Sequence, residues 1–172
     1  ADIARHGLLI WRYLAFFQPL PPNLPPMHVH IHTATSAADY AEGRRLFLEY
    51  AETLGFSLCF QGFGRELAVI DTMYAAPQGR LWIVQQDGHA LGCGGIRRYD
   101  DHSAELKRMY LRPELRGLGL GQQLLNTALA ATAELGYRSL RLDTVPGMKA
   151  AIALYHKNGF EVLDFQKAGD PE

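Results

Sequence analysis

Two cysteines in 172 residues, Cys59 and Cys93, are too few for a disulfide framework and lack the spacing of a metal-ligand pair. They read as core thiols of a reducing compartment, with the cytoplasm as the expected location. Long apolar runs are missing too, since none reaches the ~18 residues of a membrane span. The run from Leu8 to Phe17 is interrupted by Arg12 and leads into prolines, with no small-residue cleavage site, so a secretory signal is not expected. Seventeen basic against eighteen acidic side chains leave a net charge of −1, without the excess that draws a protein to nucleic acid or anionic lipid. No metal is expected either: His28, His30 and His32 alternate along one strand, and side chains from one strand face cannot surround an ion tetrahedrally.

What is present is an ordinary balance of 48% hydrophobic and 20% charged residues, which suits one globular domain. Five of the nine prolines fall at Pro19, Pro21, Pro22, Pro25 and Pro26. This stretch reads as an extended linker that sets residues 1–26 apart as an N-terminal extension, with the main domain over 27–172. The extension is either an amphipathic helix that docks on the domain or a partner, or sequence upstream of a start at Met27. Downstream, a strand is expected at residues 28–32, and Ser36 caps a helix running to Leu54. A loop and short helix follow, in which Phe60, Gln61 and Phe63 either line a pocket or fill the core. Strands 81–85, 90–98 and 104–111 form a meander turning at Asp87-Gly88; helix 122–135, strand 139–144, helix 149–158 and strand 160–163 follow. That order predicts a mixed α/β sheet with helices on its faces.

Arg116-Gly-Leu-Gly-Leu-Gly121 lies between a strand and a helix. Glycines there let backbone N–H groups approach an anion, and the helix N-terminus adds about half a positive charge, so a pyrophosphate is the natural guest. No Gly-Lys-Ser/Thr is present, which removes a P-loop, and Gln122 stands where a dinucleotide fingerprint needs its third glycine.

Together with Glu105-Leu-Lys-Arg-Met-Tyr-Leu111, Ala151-Ile-Ala-Leu-Tyr155 and Gly159-Phe160, this segment resembles the GNAT superfamily of acetyl-CoA-dependent N-acetyltransferases. The resemblance runs from about Met27 to Leu163 and is sharpest from Glu105 to Phe160. It implies a mixed, mostly antiparallel sheet of six to seven strands flanked by about four helices. It also implies acetyl-CoA as cosubstrate, its pyrophosphate on the amides of Arg116, Gly117, Leu118, Gly119, Leu120, Gly121 and Gln122. The pantetheine arm would pair with the backbone of Met109, Tyr110 and Leu111. Tyr155 matches the family tyrosine that protonates the departing thiolate, although a tyrosine at this place on a helix also suits a core. Glu105 occupies the position of the general base in some members, or pairs with Lys107 or Arg108. The acceptor would be a small-molecule or peptide amine, attacking directly and contacted by Phe60, Gln61, Phe63 and Thr144.

Two rivals share the fold: an acyltransferase using a longer acyl-CoA, and a CoA-binding regulatory module without turnover. The sequence departs from the family pattern at Met148, where many members have an asparagine, and after Leu163, where too little chain remains for the usual last strand. An open edge, strand exchange in a homodimer, or filling by the N-terminal segment would each answer that shortage.

Overall fold

In the computed structural model, residues 29–55, 58 and 62–163 are described in full, and residues 9–14 by their backbone. Seven strands form one sheet: β1 (Leu9–Leu14), β2 (Val29–Thr33), β3 (Arg80–Gln86), β4 (His89–Arg98), β5 (Ser103–Leu111), β6 (Ser139–Thr144) and β7 (Glu161–Leu163). Their spatial order is β2-β3-β4-β5-β6-β1-β7, antiparallel throughout except between β5 and β6. The helices are α1 (Ala37–Thr53), α2 (Phe63–Ala68), α3 (Ile70–Met73), α4 (Leu120–Glu134) and α5 (Lys149–Lys157). The expected mixed, mostly antiparallel sheet with flanking helices is present.

Alternation along the strands gives each face its own core. On one face, Leu124, Leu125 and Ala128 of α4 and Tyr155 of α5 pack on Ile96, Ala104, Leu106, Leu140 and Leu142. On the other, Leu46 and Phe47 of α1 and Ile70 of α3 pack on Leu81, Ile83, Cys93 and Tyr110. Burying each such large side chain contributes about 1.5–3 kcal/mol. α1 starts where the sequence places it, at a capping box in which Ser36 accepts from the Asp39 N–H and Asp39 accepts from the Ser36 N–H.

Of the three answers to the missing strand, filling by the N-terminal segment is the one found, and the helix expected there is not. Leu9–Leu14 is a strand, not a helix, and it lies inside the sheet, antiparallel to β6 and to β7. The sheet therefore draws a strand from ahead of the proline run. The physical reason is backbone pairing: β6 pairs all six residues of the segment and β7 pairs Ile10 to Arg12, which outweighs local helical pattern.

Candidate active site

A β-bulge in β5 creates the site. Gly95 pairs with Lys107 and Cys93 with Tyr110, so Arg108 and Met109 together oppose Gly94, and Arg108 takes φ +55°. The extra residue shifts the alternation. Ala104 and Leu106 face α4, as do Met109 and Leu111, while Lys107 and Arg108 both turn toward α1–α3. Past the bulge β5 no longer follows β6, and their ladder ends at Leu106 opposite Leu142. The two strands open into a cleft of about 810 Å³ that passes through the sheet.

One mouth of the cleft is formed by the glycine turn and α5. Gly117 and Gly119 adopt φ of +77° and +76°, a left-handed conformation costly for any residue with a Cβ. Gly119 is the N-cap of α4 and makes no side-chain cap bond, so the first N–H groups of the helix are left for a ligand. Arg116, Lys149 and Lys157 line the same mouth. The Gln122 side chain does not point to a ligand: its amide exchanges two hydrogen bonds with Asn158 at 2.7 and 3.0 Å, clamping α4 to α5. These features fit a pyrophosphate bound by backbone. Met109, Tyr110 and Leu111 line the gap beyond the end of the β5–β6 ladder, as an added strand-like arm requires. Met148 lines the cleft as well, its sulfur accepting a 3.4 Å bond from the Thr144 hydroxyl.

Tyr155 lines the cleft from α5 and is 6% exposed. Burial pushes its phenol pKa well up, and the negative charge of Asp143 adds to the shift, so the hydroxyl keeps its proton at neutral pH. Tyr50, on α1, lines the opposite mouth, and burial pushes its own pKa to about 12.

That second mouth is built by Tyr50, Thr53 and Leu54 of α1, by Leu58, and by Lys107, Arg108 and Asp143. Beneath it lies an ionic network. Arg108 donates to both carboxylate oxygens of Glu66, at 3.1 and 2.6 Å, and the Tyr74 hydroxyl donates to the same carboxylate at 2.6 Å. Lys107 bonds Asp143 at 2.9 Å and lies 3.4 Å from Glu105, whose other partner is Arg97 at 2.9 Å.

Glu105 thus sits in the ion-paired arrangement, behind Lys107 and outside the cleft lining, whereas Asp143 lines it. Phe63 does not line the cleft either; its ring lies under the Arg108 guanidinium, 5.0 Å from the centroid. Phe60, Gln61 and Cys59 lie outside the described residues. Thr144 lines the cleft. Sequence reasoning missed Tyr50, Lys107 and Asp143 as site residues. The alternation of β6 gave a signal for Asp143, because with Leu140 and Leu142 inward on the α4 face it must project toward α1.

Cys93 is completely buried, donates to the Arg108 carbonyl at 3.4 Å, and has its thiol pKa raised by burial. It is no nucleophile. Among the described residues no His, Cys, Asp and Glu cluster could hold a metal, and no helix is long and apolar enough to cross a membrane.

An uncapped, glycine-led helix N-terminus thus stands beside a gap in a mixed sheet, both lining one cleft. The model of the acetyltransferase (GNAT) family matches residues 40–160, and the chain belongs to this family. An uncharacterised N-acetyltransferase of Schizosaccharomyces pombe is 32% identical over 143 residues, covering 82% of this chain and 88% of its own. A GNAT acetyltransferase from Staphylococcus aureus MU50 superimposes with a TM-score of 0.69 at 20% identity, over 82% of this chain and 89% of its own. A GNAT acetyltransferase from Elizabethkingia anophelis, solved with acetyl-CoA bound, gives a TM-score of 0.55 at 23% identity, over 84% and 86%.

Proposed function

We propose that the protein transfers an acetyl group from acetyl-CoA directly to a primary amine. The observation that carries this reading is the through-sheet cleft, lined by the uncapped N-terminus of α4, a buried protonated phenol and, on the α1 side, a carboxylate. Acetyl-CoA supplies the activated acetyl group. The turn amides from Arg116 to Gln122 hold its pyrophosphate, and the backbone of Met109, Tyr110 and Leu111 orients its arm. Tyr155 gives its proton to the departing sulfur. Glu105 serves proton removal at one remove, holding the Lys107 ammonium that in turn bonds Asp143. The burial of Cys93 favours direct transfer over a covalent enzyme intermediate.

Thermal denaturation tests the donor. Because acetyl-CoA binds the folded state, it should stabilise the protein by about 2.7 kcal/mol at ~100 times its dissociation constant. NADH should give far less. Equal protection by the two would overturn the assignment.

A further inference from the structure

We infer that the acceptor is a small primary alkylamine bearing an apolar or aromatic group, with its ammonium held by Asp143 and its apolar part against Tyr50, Leu54 and Leu58. This rests on the acetyltransferase reading and deepens it. The cationic mouth at Arg116, Lys149 and Lys157 suits the donor's phosphates, which leaves the α1 mouth for the acceptor.

The α1 mouth discriminates by what its groups already do. Arg108 is forked onto Glu66, and Lys107 bridges Asp143 and Glu105, so both cations are matched by carboxylates. An amino acid acceptor would bring its carboxylate to a mouth with no uncompensated positive charge, beside Asp143. A polyamine would extend a second ammonium along Leu54 and Leu58. Among the described lining residues of this mouth, Asp143 is the sole carboxylate, so these residues offer that second charge no counter-ion. An apolar tail meets neither penalty. It gains from Tyr50, Leu54 and Leu58, the last of which is 5% exposed.

The proton steps close on the same residues. One ammonium proton passes to Asp143, the nitrogen bonds to the acetyl carbonyl carbon, and the C–S bond breaks. The sulfur takes the Tyr155 proton, and the second nitrogen proton restores the phenol. The net products are the amide, the free thiol and one proton, which Asp143 releases.

The test is thiol release from acetyl-CoA with phenethylamine, a series from propylamine to hexylamine, spermidine and glycine. The kcat/KM should rise along the alkyl series, and phenethylamine should exceed spermidine and glycine by roughly 10- to 100-fold, the selectivity expected from burying a ring-sized group. Asp143→Asn should lower kcat/KM for phenethylamine most at neutral pH, with partial recovery as rising pH deprotonates the free amine. Leu54→Glu should shift preference toward spermidine. Protection of each variant by acetyl-CoA shows that it is folded and binds the donor. Wild type that is protected yet prefers spermidine or glycine, or acetylates none of the apolar amines, overturns the acceptor class while the donor reading stands. An unchanged pH profile in Asp143→Asn removes the part given to that carboxylate. Absence of protection in wild type would bring down the acetyltransferase reading itself.

Discussion

Tyr155 is held protonated by the same burial that would make it a plain core residue, and this decides what it can do. A phenol in reach of the departing sulfur donates a proton only if it still has one, and burial and the Asp143 charge keep it neutral across the working pH range. Tyr155→Phe keeps the ring packed against Phe160, 5.6 Å away between centroids, and removes only the donor. It should lower kcat by roughly 10²–10⁴ while acetyl-CoA protection is unchanged, measured by thiol release and melting curves. Glu66 offers a stability counterpart. Burial raises its pKa, but the bonds and charge of Arg108 more than offset that and leave the carboxyl below its ordinary value. A depressed folded pKa means that its stabilisation is complete above the unfolded value of about 4.3 and is lost as pH falls through the folded one. Glu66→Gln leaves Arg108 buried without its counter-charge, so it should cost about 3–5 kcal/mol at pH 7 by chemical denaturation. Its melting temperature should also fall less than that of wild type below about pH 4.

At the scale of elements, the glycine turn and α4 form one device. Gly119→Val places a β-branched residue at φ +76°, so acetyl-CoA protection should vanish while most of the fold persists, seen as a retained far-ultraviolet dichroism spectrum. This device was legible in the sequence because it depends on local chemistry: glycine spacing, a preceding strand and a following apolar helix. The same holds for α1, where Ser36 and Asp39 mark the start, and for β6, found over the expected residues 139–144. Two features were not legible. For Glu105 the sequence leaves a base and a partner of Lys107 equally open; the pairing with Lys107 is present, and the second partner, Arg97 from β4, is what no local pattern shows. The bulge behind this arrangement sits at Arg108, a residue type that gives no hint of a positive φ. The pattern of Leu8–Phe17 could not reveal a strand, because the partners that make it one, β6 and β7, lie more than 120 residues downstream.

At the scale of the whole molecule, β1 ties the start of the chain to the candidate site. Its residues Leu9 and Ile10 pair with Thr144 and Asp143, and among the described strands β7 pairs with β1 alone. Removing residues 1–26 strips the ladder from the end of β6 that carries both cleft residues. The shortened chain should melt at a lower temperature and lose most of its turnover, measured by calorimetry and thiol release. Undiminished activity would show that β6 keeps its geometry without that partner.

The central claim is acetyl transfer through this cleft, and the mass spectrum of the product tests it most directly. After incubation of the protein with acetyl-CoA and phenethylamine, the account predicts that the amine gains the mass of one acetyl group as one free thiol of CoA appears, with the yield sharply reduced in Tyr155→Phe. An amine of unchanged mass, with acetyl-CoA consumed no faster than in the absence of protein, would contradict it.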